Sequence, residues 1–173
     1  MKAKNDVLIV YYSLAGNTGR VANDLARHFN ADVECIVDMK RRKGLWGYLT
    51  AIVDTWRHKP AVIGAIQHDP STYSLVLLGT PVWGWNITPA LRAYLEQTRG
   101  KLRNVALFIT SGDTDVSRIV PFLRRLSSGR IVAAAGFNAR ELHNADLYRT
   151  KLEAYMREIE SASAAEPTLR AVP

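Results

Sequence analysis

The polar loop at residues 13–18 (SLAGNT) is the first segment whose residue types suggest chemistry. It follows a continuous apolar run and leads straight into a helical pattern. The hydroxyl groups of Ser13 and Thr18 can donate to phosphate oxygens, and Gly16 allows the backbone to approach a ligand closely. Amide groups at the start of a helix also favour an anion. The loop therefore predicts a phosphate site, although a helix cap formed by Asn17 or Thr18 explains it equally well.

Other common phosphate sites fit this chain less well. It has no G-x-x-x-x-G-K-[ST] segment and no G-x-G-x-x-G after the first apolar run. A receiver domain would have acidic residues near Tyr11 and Tyr12, and a cysteine phosphatase would have its cysteine in the loop. The single cysteine, Cys35, lies elsewhere and excludes an internal disulfide.

Two further loops have residues suited to a flat ring. Residues 79–86 (GTPVWGWN) follow one apolar run, and either Trp83 or Trp85 can stack on a heteroaromatic ring. Residues 110–115 (TSGDTD) follow another, and their amides can bond the carbonyl groups of a ring edge. A tryptophan in an apolar loop usually packs in the core. The case for a ligand therefore depends on all three loops meeting at one edge of a sheet.

The apolar pattern predicts a sheet that would bring these loops together. Continuous β-branched runs alternate with segments that have apolar residues at helical spacing. The predicted strands are 6–12, 31–37, 73–79, 104–110 and 130–137, and the predicted helices are 18–29, 88–97, 116–127 and 146–159. This alternation predicts an α/β fold: a doubly wound, five-stranded parallel sheet of order 2-1-3-4-5 with helices on both faces.

The chain has the length of one domain, which we assign to residues 1–160. We expect residues 161–173, which are rich in Ala, Ser and Pro, to form a flexible tail. Residues 40–66 are the least regular part. An amphipathic helix is plausible there, because Leu45, Leu49, Ile52, Val53 and Trp56 have helical spacing. Core packing by its aromatic residues is favoured over a flap or a self-association surface.

The three loops resemble those of the flavodoxin-like family, which includes flavodoxins and FMN-dependent quinone reductases. The resemblance spans residues 6–159. Residues 13–18 are similar to the family's phosphate loop, [ST]-x-[ST]-G-x-T, while 81–84 and 111–113 look like its two flavin-ring loops. The resemblance implies FMN as cofactor. The implied cofactor-binding residues are Ser13, Leu14, Ala15, Gly16, Asn17, Thr18, Pro81, Val82, Trp83, Gly84, Ser111, Gly112 and Asp113.

The resemblance also implies roles for individual residues. Trp83 would stack on the isoalloxazine, and the backbone at Gly112 and Asp113 would meet its pyrimidine end. Gly84 would lie near flavin N5, where a peptide without a Cβ reorients easily. No catalytic side chain and no metal site are expected. His143, near the predicted site edge, is a candidate substrate contact.

Two residues depart from the family pattern. Ala15 replaces a hydroxyl residue, which removes one phosphate contact worth about 1 kcal/mol. Val116 stands where many flavodoxins have a stacking tyrosine. One flavin face would therefore be open, or covered by a partner chain or by residues 40–66.

The chain is basic, with 23 Lys and Arg against 16 Asp and Glu and a net charge of +7. Basic residues cluster at 40–43, 57–59 and 99–103. These clusters are explained either by a solvated surface or by binding to an acidic partner protein, an anionic donor such as NADPH or a membrane surface. A nucleic-acid role is disfavoured, because no recognition motif accompanies the scattered charges. No apolar stretch approaches the roughly 20 residues of a membrane span. We expect a cytoplasmic protein.

These observations predict an FMN-binding protein that acts in electron transfer or as an FMN-dependent oxidoreductase linked to NAD(P)H. Its partner would be a redox protein or a small acceptor such as a quinone, and it could form a homo-oligomer. Whether it is an enzyme or a carrier stays open. The alternative is a non-enzymatic interaction module with a degenerate flavin site and a basic docking surface.

Overall fold

Five parallel strands form the centre of the protein, in the order that the sequence predicts. The computed structural model describes residues 6–39 and 61–164. The strands are β1 (Val7–Tyr11), β2 (Asp32–Cys35), β3 (Leu75–Trp83), β4 (Asn86–Ile87), β5 (Asn104–Ser111) and β6 (Arg130–Asn138). The sheet order is β2-β1-β3-β5-β6, and the short β4 pairs antiparallel with the end of β3. Apart from β4, this is the predicted order 2-1-3-4-5.

Helices cover both faces of the sheet, which confirms the predicted doubly wound fold. They are α1 (Asn17–Phe29), α2 (Pro89–Gln97), α3 (Val120–Leu126), α4 (Ala139–His143) and α5 (Ala145–Ala164). Residues of α2 and α3 pack into one core cluster, and residues of α1 and α5 into a second cluster on the opposite face. Among the described residues, no helix is long and apolar enough to cross a membrane.

The continuous apolar strands are buried on both faces, as the pattern predicts. In β1, the neighbouring residues Leu8 and Ile9 face different core clusters, and both are fully buried. In β5, Leu107 and Phe108 are likewise fully buried and face different core clusters. Successive side chains of a strand point to opposite faces, so covering both faces requires apolar residues at every position.

β3 is longer than the sequence predicts. It was expected to end at Gly79, but it continues to Trp83 and is paired with β5 as far as Pro81. The pairing of β1 with β3 stops at Gly79, so β1 does not extend alongside Pro81. A proline, which cannot donate a hydrogen bond, is tolerated on such an unpaired edge. Much of the predicted ring loop is therefore strand.

Several other boundaries differ from the prediction. The predicted helix 116–127 is divided into a 3₁₀ turn (Val116–Arg118) and α3, with Pro121 in the first turn of α3. α5 continues to Ala164, so residues 161–164 of the expected tail are helical. The rest of the predicted tail and the predicted amphipathic helix lie outside the described residues.

Gly79 provides a test of how closely β3 and β5 pack. A Cβ atom at this position would overlap the ring of Phe108. We therefore expect Gly79→Ala to lower the free energy of unfolding by about 1–3 kcal/mol, measured by urea denaturation. Gly112→Ala is the control, since a Cβ there would have no atom within 4 Å. Equal losses in both variants would contradict the packing argument.

Candidate functional site

A cavity lies at the carboxyl-terminal edge of the sheet, where all three predicted loops meet. Its volume is about 240 Å³. It is lined by Ser13, Leu14, Ala15, Asn17, Thr18, Pro81, Val82, Trp83, Thr110, Ser111, Gly112, Ala139 and Leu142. The parallel register brings the loops together, since it aligns Tyr11 with Gly79 and Pro81 with Thr110. No charged side chain is among the lining residues.

The start of α1 is left open for an anion. The residue before the helix is Gly16, with φ 90° and ψ −20°, and it has no side chain that could cap the helix. Neither Asn17 nor Thr18 acts as the cap, so the alternative explanation of this loop does not apply. The first turn also has no acidic residue. Uncapped amides at a helix start are a favourable environment for a phosphate.

Two hydrogen bonds hold the loop and the first turn in place. The N–H of Gly19 donates to Ser13 Oγ at 3.2 Å, which closes the loop onto the helix. Thr18 Oγ1 and Thr110 Oγ1 are 2.7 Å apart and form a buried hydrogen bond. The second bond ties α1 to the end of β5. The phosphate loop and the loop after β5 are therefore joined directly.

The two tryptophans after Pro81 have different environments. Trp83 is only 5% exposed and meets the ring of Tyr12 edge-on, with centroids 5.7 Å apart. Trp85 is 62% exposed at the tip of the β3–β4 hairpin. Trp83 thus forms part of the cavity wall, and Trp85 has an open ring face.

The hairpin tip is a two-residue turn with an unusual backbone. Gly84 and Trp85 both have positive φ values, 54° and 58°, as a type I′ turn requires. Glycine or asparagine is usual at such positions, and a bulky aromatic residue there is an outlier. Backbone strain of this kind is concentrated at functional sites, where surrounding structure maintains it.

A second cavity adjoins the first at Gly112. It has a volume of about 550 Å³ and lies between the hairpin tip and the loop after β5. Its lining residues are Trp85, Gly112, Asp113, Thr114, Asp115 and Arg118. Together the two cavities extend from the start of α1 to the open face of Trp85.

The loop after β5 is closed by its own side chains. The N–H of Thr114 donates to Ser111 Oγ at 2.9 Å, and the Ser111 hydroxyl donates to the carbonyl of Thr114 at 3.2 Å. The N–H of Ser117 donates to Asp115 Oδ1 at 2.8 Å. This bond lowers the pKa of the Asp115 carboxyl, which favours its ionised form. The predicted ligand residue Ser111 therefore also shapes the loop.

Some predicted residues lie outside the first cavity. Gly16 borders a different cavity beside α1, Asp113 borders the second cavity, and Gly84 lines neither. The ring of His143 bonds the carbonyl of Ala139 at 2.6 Å, and His143 lines neither cavity.

The predicted cofactor-binding residues did not include three residues that line the first cavity, namely Thr110, Ala139 and Leu142. The last two belong to α4, which begins with a capping box between Asn138 and Glu141. An Asn followed three positions later by Glu is a recognisable start signal for a helix. Thr110 is the first residue of the predicted loop 110–115, but it has no comparable signal that marks it as a ligand residue.

The net charge does not come from the residues around the site. The described residues contain equal numbers of basic and acidic side chains. The clusters at 40–43 and 57–59 lie outside them. The +7 charge of the chain therefore belongs entirely to residues outside the described ranges.

The fold and the three loops agree with a comparison against protein families. A model of the flavodoxin family matches residues 6–159. The chain belongs to the flavodoxin family. Among curated proteins, no sequence matches this family member significantly.

Solved structures share the flavodoxin fold with this chain. A flavoprotein from Lactobacillus acidophilus, solved in complex with FMN, is 21% identical to this chain with a TM-score of 0.67, and the match covers 80% of this chain and 97% of that protein. A putative flavoprotein from Bacteroides uniformis is 17% identical with a TM-score of 0.73, and the match covers 90% of this chain and 99% of that protein. Two-electron-reduced flavodoxin from Megasphaera elsdenii is 20% identical with a TM-score of 0.55, and the match covers 92% of this chain and 99% of that protein.

The Thr18–Thr110 bond can be tested without a ligand. Thr18→Val leaves the buried Thr110 hydroxyl without this partner, so we expect a loss of about 1–2 kcal/mol in the free energy of unfolding. Thr110→Val should have a similar effect. In the double variant the loss should be smaller than the sum of the single losses, measured by urea denaturation. Fully additive losses would contradict the bond.

Proposed function

We propose that this chain binds FMN across the two adjoining cavities and uses it in electron transfer or in FMN-dependent oxidoreduction. The observation that carries the proposal is the uncapped start of α1, which lies at the same sheet edge as the two loops suited to a flat ring. The Lactobacillus acidophilus flavoprotein, which has the same fold, was solved with FMN. When bound, the flavin supplies the redox chemistry, and the protein binds and orients it.

The phosphate would lie at the start of α1. The amides of Asn17 and Thr18 and the hydroxyls of Ser13 and Thr18 are the available donors. Because no charged side chain lines this cavity, amide dipoles rather than an ion pair would balance the phosphate charge. Ala15 lines the cavity without offering a hydroxyl.

The ring would lie between the β3–β4 hairpin and the loop after β5. Trp85 offers the exposed aromatic face for stacking, whereas Trp83 is already packed against Tyr12. The backbone at Gly112 and Asp113 would bond the pyrimidine edge. This arrangement revises the role that the resemblance implies for Trp83.

The first cavity has no titratable side chain, while Asp113 and Asp115 line the second. We assign proton transfer to neither carboxyl. Electrons would come from a redox partner protein or from NAD(P)H and would pass to a quinone or a similar acceptor. Because the described residues are balanced in charge, attraction of anionic NADPH would depend on basic residues outside them.

An absorption spectrum of the purified protein, followed by titration of the apo form with FMN, tests the proposal. We expect flavin absorption bands and saturable quenching of flavin fluorescence. A colourless protein that neither binds FMN nor gains thermal stability from it would contradict the proposal and favour the interaction module. Stopped-flow mixing with NADPH then separates a reductase, which is reduced directly, from a carrier.

Gly16 tests the position of the phosphate. Its φ of 90° is unfavourable for other residues, so Gly16→Val should cost about 1–2 kcal/mol of stability. We also expect FMN affinity to fall at least about tenfold, as the amides of the loop move. Gly100→Val is a matched control, because Gly100 has φ 81° and lies outside the site. Equal losses of FMN affinity in both variants would contradict the assignment.

Trp85 tests the position of the ring. Trp85→Asn keeps a residue that tolerates positive φ but removes the aromatic face, so riboflavin and FMN should both bind about tenfold more weakly. Trp85→Tyr should retain most of the affinity. Fluorescence titration gives both values. Unchanged affinity in Trp85→Asn would exclude Trp85 as the stacking residue.

A further inference from the structure

We propose that Thr110 is a positioning residue for the FMN phosphate. Its hydroxyl donates to Thr18 and thereby directs the Thr18 proton into the cavity, toward the phosphate. Through this relay, β5 contributes to the selection of FMN over riboflavin. The inference rests on the proposed function and assigns a role to a residue that the phosphate-loop motif does not include.

The geometry places the two threonines in one buried unit. Thr18 Oγ1 and Thr110 Oγ1 are 2.7 Å apart, although the residues are 92 positions apart in the chain. Thr18 is 1% exposed and Thr110 is 5% exposed, and both line the first cavity. Thr18 is the second residue of α1 and Thr110 the penultimate residue of β5. The bond therefore crosses from the phosphate helix to a central strand.

Each threonine hydroxyl has one proton, and the bond between them uses one of the two. If Thr18 donates, its only proton points toward β5 and cannot reach an anion. If Thr110 donates, the Thr18 oxygen accepts and its own proton is free to point into the cavity. A phosphate at the start of α1 favours the second arrangement. The two hydrogen bonds then polarise each other in the same direction.

The relay adds to the hydroxyl groups that the phosphate loop itself provides. The family's phosphate loop has a hydroxyl residue where this chain has Ala15. Ser13 Oγ accepts from the N–H of Gly19, which holds it against the first turn of α1. Thr110 supplies a hydroxyl to the same cavity from a different element.

Loss of the Thr110 hydroxyl would free the Thr18 hydroxyl to rotate. Fewer of its rotamers would then place the proton in the cavity, which weakens donation to a ligand. FMN would lose one charge-assisted hydrogen bond, whereas riboflavin, which lacks the phosphate, would lose nothing. Different responses of the two flavins are therefore specific to the relay and are not expected from a general packing defect.

The test compares FMN and riboflavin binding in the apo forms of the wild type, Thr110→Val and Thr110→Ser. We expect Thr110→Val to bind FMN about tenfold more weakly, with riboflavin affinity changed less than about twofold. Thr110→Ser should restore FMN affinity, because it keeps the hydroxyl. The ³¹P resonance of bound FMN should shift in Thr110→Val and return in Thr110→Ser.

Thr98→Val is the matched control. Thr98 is 1% exposed, and its hydroxyl donates to the carbonyl of Tyr94 at 2.8 Å, at the end of α2. It should lose stability without a change in either affinity. If Thr110→Val does not fold, Thr110→Ala provides the same loss of the hydroxyl with a smaller side chain.

The outcomes are distinct. Equal losses for FMN and riboflavin in Thr110→Val would assign Thr110 to packing and overturn the relay. Unchanged FMN affinity, or a serine variant as weak as the valine variant, would overturn it as well. A wild-type protein that binds neither flavin would instead overturn the proposed function, on which the relay depends.

Discussion

The parallel pairing of β1, β3 and β5 is the constraint on which the candidate site depends. Parallel strands end at the same edge of a sheet, so the segments that follow them must meet there. The observed register aligns Tyr11 with Gly79 and Pro81 with Thr110. Small shifts in this register would separate the start of α1 from the ring loops. The close approach of Gly79 to Phe108 shows how little tolerance the register has.

The site has a rigid, buried part and a strained edge. The buried part consists of the strand ends and the Thr18–Thr110 bond, and it has no charged side chain. The edge is the β3–β4 turn, where Trp85 has a positive φ and an exposed ring. Helix amides at one end of the site and an aromatic face at the other suit a ligand that has a phosphate and a flat ring.

The sequence was sufficient to locate the five parallel strands, and their alternation with helical segments predicted the order of the sheet. It failed where tertiary context decides. The Gly-Thr-Pro segment reads as a turn, but strand pairing with β5 holds it extended. Trp83 and Trp85 are indistinguishable by type, and only the hairpin decides which one is buried. Thr110 lies in an apolar run whose pattern does not reveal its distant partner.

The central claim is that the start of α1 holds the phosphate of FMN while Trp85 covers its ring. A crystal structure of the protein with FMN tests it most directly. The account predicts phosphate oxygens within hydrogen-bonding distance of the amides of Asn17 and Thr18, with the isoalloxazine between Trp85 and the loop after β5. FMN bound away from these two loops and the start of α1 would contradict it.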